Sequence, residues 1–438
     1  MAGRNRFEWF ADWKPPRDRD PLKILAKAAE GRDPEAVEER TKAMIQKGSV
    51  STFFRGAAGV MASDLGSDRS GTTGSEVDLS GDAHLGNFGT FGSPERVRVF
   101  DLNDFDEARL GPWEWDVCRL AASAVVTERD RGSDAEDQIE TAGEAVAAYA
   151  QTVARLAAAP LIDRWYTITR CDELHYRDLA IGSDEDGADD ALARARFLLQ
   201  ANRKRTQAAT VAKLTKDGEF HDDGGDQRRL RGKRADAVRA AYPSYRETVP
   251  PGLRRLLQGY QPTSVAERAV GQGSLGLRNY LLLLAGDAKK DALILQVKEA
   301  SPSQLEFGLG EIPQPHEGRR VVELQRAMQG ASDPLLGWTS IGAEQYYVRQ
   351  YRDMKSAPDL TDEELGHRDL VVFARLCGTT LARAHARSAE GANIDDINDA
   401  VGDGTHDRGA FRDALVQFGC TYADVSSADQ DRLRTSAR

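Results

Sequence analysis

Two acidic clusters in the first third of the chain have the residue types and spacing that phosphate chemistry uses. Asp82 and Asn87 lie five positions apart in Gly81-Asp82-Ala83-His84-Leu85-Gly86-Asn87. Phosphoryl transfer needs a carboxylate that orients the attacking hydroxyl and accepts its proton. It also needs an amide oxygen nearby to hold magnesium, and one loop of this spacing supplies both. Asp101, Asn103, Asp104 and Asp106 follow a short run with strand character, Val97, Val99 and Phe100. A carboxylate there could hold magnesium against the phosphates, because this ion prefers hard oxygen ligands. The spacing leaves Asp101 and Asp104 as alternatives. Taken singly, each cluster also reads as a solvated polar turn.

Far downstream stands a second group of candidates. Gly271-Gln272-Gly273-Ser274-Leu275-Gly276 is a GxGxxG pattern followed by an apolar β run rather than a helix, which suits a hairpin whose backbone covers phosphates. Lys298 ends the strand-like run Leu293–Val297, from which it could reach the α- and β-phosphates. Glu323, on the helical stretch that follows, could hold that lysine by an ion pair. Alone, Lys298 reads as a strand-end surface lysine and Glu323 as a solvated helix carboxylate. Metal-dependent hydrolysis is the rival chemistry, on the strength of Asp82-Ala83-His84 and of Gly402–Gly409. The second pattern has one residue too many and no apolar strand before it.

These residues need a scaffold, and the composition allows one. Of 438 residues, 40% are hydrophobic and 29% charged, enough for a large core. A net charge of -11 argues against a general nucleic-acid or anionic-membrane surface. Cys118, Cys171, Cys377 and Cys420 have neither metal-ligand nor disulfide-framework spacing and read as reduced thiols. The N-terminus lacks a signal-peptide core, and the longest apolar run, Tyr280–Ala285, is too short to span a bilayer, so the expected location is cytoplasmic.

The chain divides into an N-terminal arm (1–34), a helical lobe with the two acidic loops (35–260), a small β-rich lobe (261–358) and a C-terminal helical segment (359–438). Within these, 34–65 reads as helical, with Phe53, Phe54, Val60, Met61 and Leu65 roughly on one face. Trp113 and Trp115 read as core residues, and Asp116 is expected to hydrogen-bond the loop of Asp82. Lys216-Asp217-Gly218 reads as a hairpin turn, 221–234 as an exposed loop, 393–408 as an acidic loop, and His385 as an ordinary helix residue.

The stretches FFRGAAGVMASDL, GDAHLGNFG, VFDLNDFDEARLGPWEWDVCRLAAS, VGQGSLG, LQVKEASPS and VRQYRDMK together resemble the bacterial family catalogued as domain of unknown function 2252, over most of the chain. The chain is more distantly similar to the aminoglycoside and choline kinase branch of the protein-kinase-like fold. Gly81–Asn87 resembles that branch's HGDxHxxN loop, with Ser80 in place of the leading histidine, and Asp104-Phe105 and Asp116 resemble the elements that follow it. The order differs: glycine loop and lysine come after the catalytic loop, as a circular permutation would place them.

The resemblance implies an α+β, protein-kinase-like two-lobe fold, circularly permuted, with a large helical lobe and a small β-rich nucleotide-clamp lobe. It implies ATP and Mg2+ in the cleft. Gly271, Gly273 and Gly276 would cover the phosphates and Lys298 would bind them with Glu323 as anchor. Asn87 with Asp104 or Asp101 would hold the metal, and Asp82 would serve the acceptor hydroxyl. Lys298 and Asp104 should then be neighbours. The implied activity is phosphoryl transfer to a hydroxyl of a small molecule or of a protein, without nucleic-acid or membrane partners. An inactive nucleotide-binding scaffold, nucleotidyl transfer and metallophosphoesterase chemistry are the alternatives. Oligomeric state is not legible.

Overall fold

Apolar residues recurring every three or four positions build the helical body. In the computed structural model its long helices are Trp113–Asp130, Ala135–Ala157, His367–Arg387 and Thr405–Ser436. The structure describes residues 6–35, 37–38, 41–42, 48–200, 207–223, 227–268, 276–288, 291–352, 354–387, 394–402 and 405–436. The buried faces of these helices meet in one core that includes Leu120, Val146, Tyr149, Leu376, Leu381 and Phe418. Trp113 and Trp115 are both buried there, Trp113 stacking on Tyr149. Trp113 and Trp115 thus serve as core residues, as their apolar setting implies.

The N-terminal arm lies over this body. Phe10 and Trp13 pack edge-on against Phe418 of the last helix. Arg19 reaches Asp64 at 2.7 Å and Asp429 at 2.6 Å, so one guanidinium ties the arm to two helices far apart in sequence. Buried carboxylates of this kind need such a partner.

Beside the helical body stands a six-stranded antiparallel sheet. Its order is Gly337–Ile341, Glu344–Gln350, Ala292–Glu299, Asn279–Ala285, Gln261–Arg268 and Gln227–Leu230. Period-two alternation gives it two distinct faces. Leu282, Leu295, Val297, Tyr346 and Val348 bury one face together with Val238, Tyr242 and Tyr245. Those three come from the helices Lys233–Ala240 and Tyr242–Arg246. The other face is covered in part by Leu214 and Phe220. Nearer the helical body that face turns polar, with Gln296 opposite Arg349 and Lys298 opposite Tyr347.

The fold is mixed α+β, and several expectations need correcting against it. Packing changes near 227 rather than near 260, because Gln227–Leu230 completes the sheet and the helices after it bury its outer face. The segment 221–234 is therefore not simply an exposed loop. A four-residue edge strand rich in arginine carries little pattern of its own, and its neighbour decides it. The acidic stretch after 393 contains a helix, Ile394–Val401, with Ile397 and Val401 buried. Among the described residues, the end of the helical run before Leu65 breaks at Gly56 into Val50–Arg55 and Ala58–Gly66, with Gly56 as the C-cap of the first. The hairpin at Asp217-Gly218 forms as its residues demand, both in the left-handed region. The four cysteines are free thiols. Among the described residues, no helix is long and apolar enough to cross a membrane.

Candidate functional site

Strand pairing brings the two acidic loops side by side. Glu76–Leu79 enters the first loop and pairs with Arg109–Pro112, which leaves the second. Phe88–Gly92 leaves the first and pairs with Arg98–Leu102, which enters the second. Both ends of each loop are thus pinned to the other. Gly81 sits at φ +78, and a Cβ there would lie 2.3 Å from the Glu107 carbonyl oxygen, so only glycine lets the loops approach this closely. The Asn103 amide donates to the Asn87 carbonyl at 2.8 Å, a further tie between them.

A helix beneath the loops fixes their backbone. The Asp116 carboxylate accepts from the Ser80 amide at 2.8 Å and from the Gly81 amide at 3.0 Å. The helix carboxylate expected to bond this loop does so. His385 is not an ordinary helix residue. Its ring is fully buried, with Nε2 3.3 Å from Asp116 and Nδ1 2.8 Å from the Tyr149 hydroxyl. The chain Tyr149–His385–Asp116 orients the carboxylate that orients the loop. Local sequence could not reveal it, because its members come from three helices.

Asp82 rises from this support. Arg119, one helical turn after Asp116, donates through Nε to Asp82 at 2.8 Å and through Nη2 to the Phe54 carbonyl at 2.6 Å. Burial pushes the Asp82 carboxyl up, Arg119 opposes this, and Glu107 and Asp104 add to the push, leaving it at about 6. A base poised near neutral pH is suited to accept a hydroxyl proton. Asn87 donates its side-chain amide to the Asp82 carbonyl at 2.8 Å, which directs its amide nitrogen inward and leaves its oxygen as a ligand atom.

The two metal candidates part company here. Asp101 lies within a strand, where its oxygens accept from the amides of Leu102 at 2.9 Å and Gly330 at 3.0 Å, facing Arg387. Asp104 lies beyond the strand end, where its charge acts on Asp82, Lys298, Arg349 and Lys355. The buried Phe105 next to it anchors the turn in the core.

The sheet meets these loops through Lys298. Its Nζ is 2.5 Å from the Asp106 Oδ2, and the lysine is buried. Burial alone would lower its pKa, but Asp106, Tyr347 and Asp104 hold the ammonium charged well above the usual lysine range. The anchor is thus Asp106 rather than Glu323. Glu323 is half exposed and pairs at 2.7 Å with Arg319 of its own helix, because both fall on that helix's outward face. The inward face sends Arg320 instead, which donates to the Asp106 carbonyl at 2.9 Å and also to the Ala108 carbonyl. After Lys298 the chain crosses to the second loop, where Gln304 binds the Glu107 carboxylate through backbone and side chain.

Of the glycine loop, Gly271 and Gly273 lie outside the described residues. Gly276 is in the left-handed region at φ +87, and its carbonyl accepts from the Asp33 amide at 3.3 Å. Arg32 packs on it and lies in the field of Glu107, Asp106 and Glu299. Three cations escaped the sequence reading: Arg32, Arg349 and Lys355. Arg349 donates to Gln296 at 2.8 Å and to the Asn103 carbonyl at 3.3 Å. Lys355 is pushed down to about 7 by burial, with Arg349 adding to this and Asp104 opposing it. The alternation of strand 344–350 could have flagged Arg349, since it shares a face with Tyr347.

The donor set fits magnesium and a polyphosphate. The Asp104 carboxylate with the Asn87 amide oxygen offers hard ligands of the kind the ion takes. The buried Lys298 and the half-buried Arg349 and Lys355 match phosphate charge.

Fold and site together define a class: a mixed α+β protein in which a sheet-borne lysine closes on paired acidic loops. Residues 32–435 match the family model DUF2252, described as an uncharacterized protein conserved in bacteria, and the chain belongs to that family. No curated protein and no solved structure matches it.

Proposed function

We propose that the protein is an ATP- and magnesium-dependent phosphotransferase acting on a hydroxyl, built as a circularly permuted kinase-like fold. The observation that carries this reading is the ion pair of Lys298 with Asp106, two residues from Asp104, whose charge acts on both Lys298 and Asp82. A lysine on the sheet and a carboxylate at the acceptor side, in one cleft, are what transfer from a nucleoside triphosphate requires. The element order supports the permutation. The paired strands Gln261–Arg268 and Asn279–Ala285, the strand of Lys298, the helix Glu317–Met328 and two further strands follow one another, and the helix ending at Arg387 comes after them.

Lys298, Arg349 and Lys355 bind and orient the triphosphate. Bound magnesium would be held by Asn87 and Asp104 and would neutralise charge on the phosphates. Asp82 accepts the hydroxyl proton as the acceptor oxygen bonds to the γ-phosphorus. The bond from that phosphorus to the bridging oxygen breaks, ADP leaves, and Asp82 passes its proton to solvent. Arg119 holds Asp82 in place, and Asp116 holds the loop.

Calorimetry of magnesium-ATP on the wild type and Lys298→Ala tests the reading. Binding by the wild type and its loss in the variant is the expected outcome. Absence of binding in both would remove the reading.

A further inference from the structure

Beside the catalytic loop lies a cavity of about 710 Å³, within the range of small-molecule sites. Its wall includes Phe54, Arg55, His84 and Gly86 on one side and the segment Ala357–Thr361 on the other. His84 joins it to the chemistry, since its Nε2 lies 3.6 Å from the Asp82 carboxylate. Its Nδ1 is buried and has no hydrogen-bond partner among the described residues. A buried polar atom without a partner calls for an explanation, and a ligand reaching it from the adjoining cavity supplies one.

The charges around this cavity are mostly spent. Asp130 accepts from the amides of Val50 and Ser51 at 3.1 and 2.8 Å. Arg131 donates to the carbonyls of Leu360, Asp362 and Leu365. Asp359 accepts from the Thr361 amide and hydroxyl. Arg55 differs. It is exposed, makes no hydrogen bond or ion pair among the described residues, and its Cζ would lie 3.5 Å from a Cβ at Gly86. Its guanidinium therefore rests on the catalytic loop next to His84. Glu363, the other unspent charge, comes from the far wall.

Resting on the phosphotransfer reading, we infer that this cavity takes the acceptor, and that the acceptor is a hydroxyl compound bearing a carboxylate, which Arg55 binds while His84 bonds its polar end. A guanidinium binds carboxylate bidentately and repels an ammonium, so Arg55 selects against cationic alcohols.

The test measures thermal shifts with three probe sets at equal concentration: hydroxy acids such as glycerate and 3-hydroxybutyrate, neutral polyols such as glycerol, and cationic alcohols such as choline. The hydroxy acids should raise the melting temperature of the wild type and not that of Arg55→Ala. Arg55→Glu, an exposed change that leaves the core alone, should shift the preference toward choline. Stabilisation by the polyols or choline alone, by no set, or by hydroxy acids equally in wild type and Arg55→Ala would overturn the inference. Magnesium-ATP calorimetry on the same samples separates the two readings: nucleotide binding without hydroxy-acid binding sinks this inference alone, and loss of nucleotide binding sinks the phosphotransfer reading.

Discussion

Lys298 and Asp106 stand 2.5 Å apart although 192 positions separate them, and through this pair the sheet is fastened to the acidic loops. Removing one member strands the other. Asp106→Ala leaves a buried ammonium without its counter-charge and should cost about 3 to 5 kcal/mol of stability. The double variant Lys298→Met/Asp106→Leu should recover much of that loss while still failing to bind magnesium-ATP. Urea unfolding of the three proteins measures it, and an Asp106→Ala protein as stable as the wild type would show that the pair does not matter.

Asp82 should exchange stability for chemistry. Its folded carboxyl, at about 6, lies above the ordinary 3.8, so the folded state holds the proton more tightly than the unfolded one. Stability from this group therefore declines as pH rises from 3.8 to about 6 and stays lost above. Asp82→Asn imitates the protonated form and should gain up to about 3 kcal/mol at pH 7.5, at roughly 1.4 kcal/mol per pKa unit. The gain should vanish near pH 3.5. Turnover should meanwhile fall on the order of a hundredfold or more. Melting curves at both pH values and a steady-state assay decide it.

Two titrations should bound the activity. Asp82 must lose its proton, near 6, and Lys355 must keep its own, near 7, to meet phosphate. The profile of kcat/KM against pH should be a narrow bell between these values, since this ratio reports the free enzyme. Lys355→Arg should move the alkaline limb upward by holding its charge. An alkaline limb unchanged in that variant would assign it to another group.

His367 should also make stability pH-dependent, through a cation that must stay charged. Its ring nitrogens face Glu128 at 2.8 Å, Glu140 at 2.9 Å and Asp137 at 3.3 Å. Burial opposes its charge, yet these carboxylates raise its pKa above the ordinary value. A raised folded pKa means that the contribution is complete below about 6.5 and is lost as pH climbs through the folded value. His367→Gln should cost roughly 1 to 3 kcal/mol at pH 5.5 and much less at pH 9. Equal losses at both would point to packing instead.

The amino-acid sequence by itself determined the local elements. The three-and-four spacing of apolar residues set the helices around Trp113 and Tyr149, alternation set the strands through Leu295 and Val348, and Asp217-Gly218 set a hairpin. It also marked Asp82, Asn87 and Lys298, because each sits at an element's end with a type that packing does not require. Only the tertiary structure decided the partners. Asp101 and Asp104 look alike in the chain, and strand pairing alone turns the first toward Gly330 and leaves the second among Asp82 and Lys298. Glu323 lost the lysine to Asp106 because helix rotation put it outward with Arg319. Arg119, His385 and Tyr149 became parts of the support of the Asp82 loop only when separate helices packed together. Local pattern records which face of an element is buried. It does not record what that face meets, and the charges here are fixed by what they meet.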